Sequence, residues 1–265
     1  MLPAALYALL AAAAAVGIGS AAAASLRINP NTGERGLLGL LTIGVLSALI
    51  HFFLPLSPAV HYAILAAGFV CAALYWRAVP RDSVALAALA FAAILLQPPP
   101  RPYHDNGLYH IPTYLWNTTS PLVVGLANLH DRLGFNSLLF LIAPVVAPVT
   151  LGWVADALVA AFVLLAALER LPRHAAKASA IGFWFLASLL ILGVFFTGLT
   201  QWVGVFNADG LAGALIVYWS FLLLEYEHKI RPETVPALLI LIAAFAVMVK
   251  LAAAPLLLAT LLFLG

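Results

Sequence analysis

Long, predominantly apolar runs constrain this chain more than any other feature of its sequence. A helix crosses the hydrocarbon core of a bilayer with about 20 apolar residues, and most of the runs approach or exceed that length. They lack the alternation, over about ten residues, that a membrane barrel requires. The runs cover residues 3–25, 37–56, 60–77, 82–97, 149–169, 178–200, 210–225 and 235–254, and a shorter one covers 255–265. The sequence therefore predicts an all-α, polytopic transmembrane helical bundle with eight spans and a partial ninth.

The charged residues support this class and predict an orientation. Only 8% of the residues are charged, against about 25% in soluble domains, and a net charge of +2 is too small for a nucleic-acid partner. If the spans alternate, nine of the 12 Lys and Arg residues lie in loops on one side, and only Arg101 and Arg132 lie in loops on the other. Basic loops face the cytoplasm, so we expect a multi-pass inner-membrane protein with its N-terminus and the segment 98–135 outside.

The outer segment 98–135 holds a large share of the polar side chains. Besides its two arginines it contains Asp105, Asp131, His104, His110 and His130. Apolar residues are interleaved with these polar ones, an amphipathic mix that predicts short interfacial helices. The proline-interrupted stretch 133–148 predicts a further short helix lying at the interface.

Asp105 is the candidate catalytic residue. It stands just outside a span and four residues before Tyr109, so both side chains share a face if the chain is helical there. A carboxylate in such a place can act as a general base. Alternatively, Asp105 caps a helix that begins at Asn106. The three histidines, with Asp105 or Asp131, could ligate a metal, but no known ligand spacing is present, so we assign no metal ligand.

Three further ionisable residues lie in or beside the apolar runs. Asp209 precedes the run 210–225 and either caps its helix or belongs to a site. Lys250 and Asp156 lie about 8 Å and about 10 Å below the outer ends of their spans. Charges at such depths are costly and usually functional or paired, although a lysine can also extend its ammonium to the interface. We therefore expect a polar cavity that opens outward, in which Lys250 points toward Asp156, Asp105 or Asp209.

The order of these features resembles the N-terminal membrane module of GT-C-type glycosyltransferases, which use polyprenyl-phosphate sugars. Those enzymes carry an Asp-Glu-x-x-Tyr-like motif early in the first outer loop, an acidic residue in the second, and often a Thr-Lys-like step near the outer face. The corresponding residues here are Asp105 with Tyr109, Asp209, and Lys250 within Ala-Val-Met-Val-Lys-Leu-Ala.

This resemblance covers residues 82–265 and leaves residues 1–81 as an N-terminal three-span extension. It departs from the motifs twice, with Asn106 in place of the glutamate and Val249 in place of the threonine. The stretch from Asp105 onward also resembles a poorly characterised family of bacterial multi-spanning proteins, which implies a bacterial inner membrane. Because the last apolar run is too short to cross, we expect the sequence to be incomplete at its C-terminus.

The resemblance implies transfer of a sugar from a polyprenyl-phosphate donor to a cell-envelope acceptor on the outer side. Asp105 would be the catalytic base. The substrate-binding residues would be Tyr109, His110, Arg101, Asp209, Lys250 and Asp156. The partners would be membrane lipid and the lipid-linked sugar, and a divalent cation stays open as a cofactor. The resemblance implies no particular sugar, acceptor or oligomeric state.

Two other functions stay open at this point. A transporter or flippase would use Asp156 and Lys250 as a coupling or substrate pair, but the sequence lacks the inverted repeats that are common in transporters. A non-catalytic membrane subunit would place no demand on Asp105. That residue therefore separates the subunit hypothesis from the enzyme hypothesis.

Overall fold

Every regular element in the part of the chain that the structure describes is helical. The computed structural model describes residues 2–78, 105–134, 137–147, 154–170 and 208–265. The α-helices there are α1 (Leu2–Ser25), α2 (Thr32–His51), α3 (Pro58–Tyr75), α4 (Ile111–Thr119), α5 (Leu139–Val146), α6 (Val154–Leu168), α7 (Ala208–Glu227), α8 (Val235–Val249) and α9 (Ala254–Leu264). Short 3₁₀ turns cover Trp76–Ala78, Leu126–Asn128, Asp131–Gly134 and Leu251–Ala253, and one π-helical turn covers Asn106–His110. For these residues the predicted all-α class is confirmed, and so are the short helices expected between 105 and 134.

Four of the described helices are long and apolar enough to cross a membrane. They are α1 from Leu6 onward, α2, α3 and α7. Helices α6 and α8 are apolar but have 15 residues each, or about 22 Å, which is less than the core thickness of about 30 Å. The predicted runs 82–97 and 178–200 lie outside the described residues. Eight spans were predicted, and the described residues supply four helices of spanning length.

The first three helices pack through their backbones. A Cβ added to Gly19 would lie 1.7 Å from the carbonyl oxygen of Arg35, and one added to Gly39 would lie 1.8 Å from that of Ala15. Between membrane helices there is no hydrophobic driving force, so they associate through close van der Waals packing. Small residues such as these glycines and alanines allow that close approach. The pairing also shows that α1 and α2 are antiparallel, since the later residue of α1 faces the earlier residue of α2.

The bundle has two chemically different ends. At the first, which we call the basic end, buried ion contacts join Glu34 at the start of α2 to Arg170 after α6 and to Arg231 before α8. At the opposite end, which we call the loop end, Leu56 N donates to Asn117 O at 2.8 Å and so ties the start of α3 to α4. Residues 105–134, the start of α7 and the end of α8 also lie at the loop end.

Helix α5 lies inside the bundle. Seven of its residues are buried, and it packs against α2, α3, α4 and α6. The predicted interfacial position for a helix within 133–148 is therefore wrong. The physical reason is that Leu139–Val146 is apolar all round, and a helix without a polar face is buried.

The N-terminal side of α5 is fixed to the end of α8. Ser137 Oγ donates to the carbonyl oxygen of Val249 at 2.7 Å, and Leu138 N donates to that of Met248 at 2.8 Å. These contacts satisfy carbonyls that the end of a helix leaves without intrahelical donors. Backbone polar groups at membrane depth must find partners within the protein, and the carbonyls of Met248 and Val249 have such partners here.

The C-terminal side of α5 is held by two polar side chains. The hydroxyl of Tyr114 donates to the carbonyl oxygen of Ala147 at 2.9 Å, and Nδ1 of His61 lies 3.0 Å from that of Val145. Because a carbonyl oxygen can only accept, Nδ1 of His61 carries the proton. Burial, with a smaller contribution from Tyr7, raises the pKa of Tyr114 to about 12.

Candidate functional site

The predicted catalytic residue Asp105 directly precedes a π-helical turn at the loop end. Its side chain makes no cap hydrogen bond to the turn Asn106–His110, so the capping alternative is not found. Instead, Nη1 of Arg132 donates to Oδ1 of Asp105 at 2.7 Å. Single π turns are rare and frequently lie at functional sites. This turn is therefore a candidate functional element among those that the structure describes.

Arg132 connects the two members of the predicted motif. Its guanidinium carbon lies 5.5 Å from the centroid of the Tyr109 ring, within the range of a cation–π contact. The side chain of Arg132 is 39% exposed and that of Asp105 is 20% exposed. The arginine thus fills the face that Asp105 and Tyr109 were expected to share, while solvent still reaches the pair.

His110 points to the protein interior from the same turn. It is buried, and its Nδ1 lies 2.8 Å from Oδ1 of Asn106. Its ring centroid lies 5.5 Å from that of Phe140 on α5 and 4.2 Å from that of Tyr109. The turn therefore rests on the buried helix α5, which gives Asp105 a fixed support.

Lys250 lies where the last apolar segment breaks. Helix α8 ends at Val249, and Lys250 is extended, with φ −148° and ψ 118°. Its ammonium pairs with the carboxylate of Asp209 in the first turn of α7. Asp209 is one of the three carboxylates toward which Lys250 was expected to point, so that contact is present.

The two other predicted site residues are Asp156 and Arg101. Asp156 is 1% exposed in the first described turn of α6, and the ion pair of Lys250 is made with Asp209. Arg101 lies outside the described residues. Within the described ranges no three His, Cys, Asp or Glu side chains come together in the manner of a metal site.

The basic end contains a buried ion cluster that the sequence did not predict. Its hub is Glu34, which is 1% exposed. Glu34 accepts hydrogen bonds from the side chains of Arg170, Tyr218 and Arg231 and from the backbone N–H of Asn31. The two nitrogens of the Arg231 fork donate to its two oxygens at 3.2 and 3.0 Å, a bidentate geometry that makes strong pairs.

Glu225 completes this cluster and balances its charge. It pairs with both Arg170 and Arg231, so two carboxylates face two guanidinium groups. Arg231 also adopts a φ of 51°, in the left-handed region that costs a residue with a side chain about 1–2 kcal/mol. Such strain persists where the surroundings enforce it, and the Arg231 side chain is held by Glu34 and Glu225.

The sequence carried one local signal for this cluster. Asn31 and Glu34 form a capping box, in which each side chain accepts from the backbone of the other. That pattern marks the start of a helix, yet it says nothing of Arg170, Tyr218 or Arg231, which follow Glu34 by 136, 184 and 197 residues. The packing of α2 against α6, and of α6 against α7, brings them together.

Comparison with known proteins places the chain in a family without assigning an activity. No curated protein and no solved structure matches it. One family model, described as a domain of unknown function (DUF8201), matches residues 1–265. Because this match covers the whole sequence, the chain belongs to the DUF8201 family.

Proposed function

We propose that the chain is the membrane module of a glycosyltransferase-like protein, which transfers a sugar from a polyprenyl-phosphate donor to a cell-envelope acceptor. The observation that carries the proposal is the π-helical turn at Asn106–His110 with its Asp105–Arg132 pair. This turn lies at the same end of the bundle as the Asp209–Lys250 pair. One end of a membrane bundle thus offers a carboxylate, an aromatic ring and cations together.

Asp105 is the proposed general base. The hydroxyl oxygen of the acceptor bonds to the anomeric carbon of the sugar, and its proton passes to the carboxylate of Asp105. The bond between the anomeric carbon and the lipid phosphate breaks, and the phosphate keeps the electron pair. Arg132 holds the carboxylate at one oxygen, and Tyr109 lies beside it on the same turn. His110 belongs to the proposed substrate-binding set and supports this turn from the protein interior.

Lys250 is the proposed partner of the leaving phosphate. The charge that develops on that group is stabilised by a cation already in place. Asp209 orients the ammonium of Lys250 at the helix break. Asp156 and Arg101 complete the proposed substrate-binding set, and a divalent cation stays open as a cofactor.

The proposal includes eight spans in a bacterial inner membrane, with the N-terminus and the loop end outside. Helix α3 ends toward the basic end, whereas Asp105 lies at the loop end. In the same way α6 ends at the basic end, whereas α7 begins at the loop end. This alternation supports one crossing at each of the predicted runs 82–97 and 178–200. Arg27 and Lys229 at the basic end support its cytoplasmic placement.

The broken segment α8–α9 favours a transporter as the second candidate, because transporters bind ions at discontinuous helices. In such sites the free carbonyls at the break hold the ion. Here the carbonyls of Met248 and Val249 already accept hydrogen bonds from Leu138 and Ser137. The break therefore presents the side chain of Lys250 more than it presents backbone oxygens, and that supports the transferase over the transporter.

The test is sugar transfer by the full chain in membrane vesicles, with a panel of radiolabelled polyprenyl-phosphate hexoses and pentoses as donors. Asp105→Asn keeps the size of the side chain but removes the base, and the expected loss of rate is about 10²–10⁴-fold. Asp131→Asn is the matched control, because Asp131 lies in the same loop with its side chain 88% exposed.

Two results would overturn the proposal. One is a full rate with Asp105→Asn in a protein that folds normally, which would leave the non-catalytic subunit as the better hypothesis. The other is the absence of label transfer from every donor of the panel. Transport of the same labelled donors across the vesicle membrane, without bond cleavage, would instead establish the second candidate.

A further inference from the structure

The loop end is divided into a charged and an uncharged half. The charged half carries the ion pairs Asp105–Arg132 and Asp209–Lys250. The uncharged half consists of two loops, residues 52–57 and 120–129, which contain no Asp, Glu, Lys, Arg or His.

Large apolar side chains of both uncharged loops are exposed. We call them the apolar rim: Phe52 (60%), Phe53 (80%), Leu54 (55%), Leu122 (46%), Val124 (91%) and Leu129 (73%). Leu122 N donates to His51 O at 2.7 Å, so the two loops are held side by side. Contiguous apolar surface of this kind marks a contact with protein or membrane.

The position of α2 identifies the bilayer as the contact. The helix has 20 residues, or about 30 Å, which equals the thickness of the hydrocarbon core. Phe52 follows its last residue directly, so the rim lies where acyl chains meet head groups. Helix α3 begins directly after the loop 52–57, and its exposed side chains include Tyr62 and Val70.

We propose that the apolar rim is seated in the bilayer, at the boundary between acyl chains and head groups, beside a charged half that stays in the head-group layer. This inference rests on the membrane location alone and does not depend on sugar transfer. Its consequence concerns Asp105. The segment from Leu122 to Arg132 joins the lipid-seated rim to the ion pair, so the rim sets the height of Asp105 above the membrane.

Fluorescence quenching in the full chain tests whether the apolar rim lies in the bilayer. Cys71 is the only cysteine of the sequence, so Cys71→Ser gives a background for single labels at Val124→Cys and Asp131→Cys. The protein is reconstituted in phosphatidylcholine–phosphatidylglycerol vesicles, either with lipids brominated near the head group or with iodide on both sides. We expect brominated lipid to quench the label at residue 124 several-fold more than the label at 131, and iodide to do the reverse.

A second variant keeps the test decisive. Phe53→Cys lies on the other loop and is expected to behave like Val124→Cys. If iodide reaches residue 124 as readily as residue 131, the rim stands in water and the proposal is wrong. If neither quencher reaches residue 124, a protein partner or a second copy covers it, and the proposal is wrong for that reason. If brominated lipid quenched the label at only one of residues 53 and 124, the two loops would not share a position in the bilayer, and the proposal would be wrong.

Discussion

Glu34 accepts hydrogen bonds from residues that come from distant parts of the chain. Arg170 follows α6, Tyr218 lies on α7, and Arg231 precedes α8. A buried ion pair adds little stability over an apolar pair, but removal of one partner leaves a buried charge without compensation. At the scale of single residues, the loss of Glu34 is thus expected to disturb contacts with three other side chains in the described part of the chain.

Glu34→Gln is expected to lower the free energy of unfolding by about 3–5 kcal/mol, because two guanidinium groups would then share one carboxylate. Chemical unfolding in detergent micelles, followed by tryptophan fluorescence, measures it. Glu233→Gln is the control, since Glu233 is exposed in the loop that contains Arg231, and exposed substitutions usually change stability by less than about 0.5 kcal/mol. Equal effects of the two variants would contradict a structural role for the cluster.

Among the elements, the α1–α2 pair depends on backbone contact. Gly39→Ala would force its Cβ against the carbonyl oxygen of Ala15, which it would approach to 1.8 Å. Overpacking of this kind costs about 1–3 kcal/mol, so the variant is expected to unfold at lower denaturant concentration. Gly107→Ala serves as the control, because a Cβ there meets nothing within 4 Å. A stable Gly39→Ala variant would show that the helices can separate without loss.

Helix α5 depends on the hydroxyl of Tyr114. Tyr114→Phe is expected to cost about 1–2 kcal/mol of unfolding free energy, since the carbonyl of Ala147 loses its donor. The pKa of Tyr114 is raised from 10.0 to about 12 in the folded protein. The phenol therefore favours folding fully below pH 10, and its contribution is lost as the pH rises toward 12.

The free energies of unfolding of Tyr114→Phe and the wild type, measured at pH values on both sides of 10, check this dependence. The difference between the two proteins should be constant in the lower range and shrink toward pH 12. A difference that does not change with pH would mean that the hydroxyl is not buried in a hydrogen bond.

Hydropathy predicted the existence of the helices better than their ends. The run 37–56 corresponds to α2, yet the helix begins five residues earlier, at Thr32, and ends at His51. Its first turn is polar because it carries Glu34, and a search for apolar runs passes over it. At the other end Phe52 and its neighbours are apolar although they form a loop. Hydropathy reports which residues prefer lipid, and that preference is shared by helix and loop.

The candidate site was predicted in part for a similar reason. The contact between Lys250 and Asp209 was expected as one of three possibilities, because Lys250 lies near the outer end of its run and Asp209 lies at the outer end of the run 210–225. The contact between Arg132 and Asp105 was not expected, because the arginine comes 27 residues later through 3₁₀ turns and irregular loop. Periodicity carries no information about such a path. The division into residues 1–81 and 82–265 stays a prediction, although Glu34 of the first part pairs with Arg170 of the second.

At the scale of the whole molecule, the separation of charge predicts an orientation. Lys229 is exposed at the basic end and Asp131 at the loop end. In the Cys71→Ser background, a membrane-impermeant maleimide added to intact cells is expected to label Asp131→Cys and not Lys229→Cys. Permeabilised cells, in which both should react, provide the control. Labelling of residue 229 alone in intact cells would reverse the proposed topology.

The break after Val249 has a consequence for experiments on Lys250. The path of the chain there is set by hydrogen bonds from Ser137 and Leu138 to the carbonyls of α8, and none of these contacts uses the lysine side chain. The backbone geometry at the break after Val249 therefore does not depend on the charge of Lys250. Replacing Lys250 by methionine removes the ammonium while the break keeps its shape, so a change in ligand affinity would report on electrostatics alone.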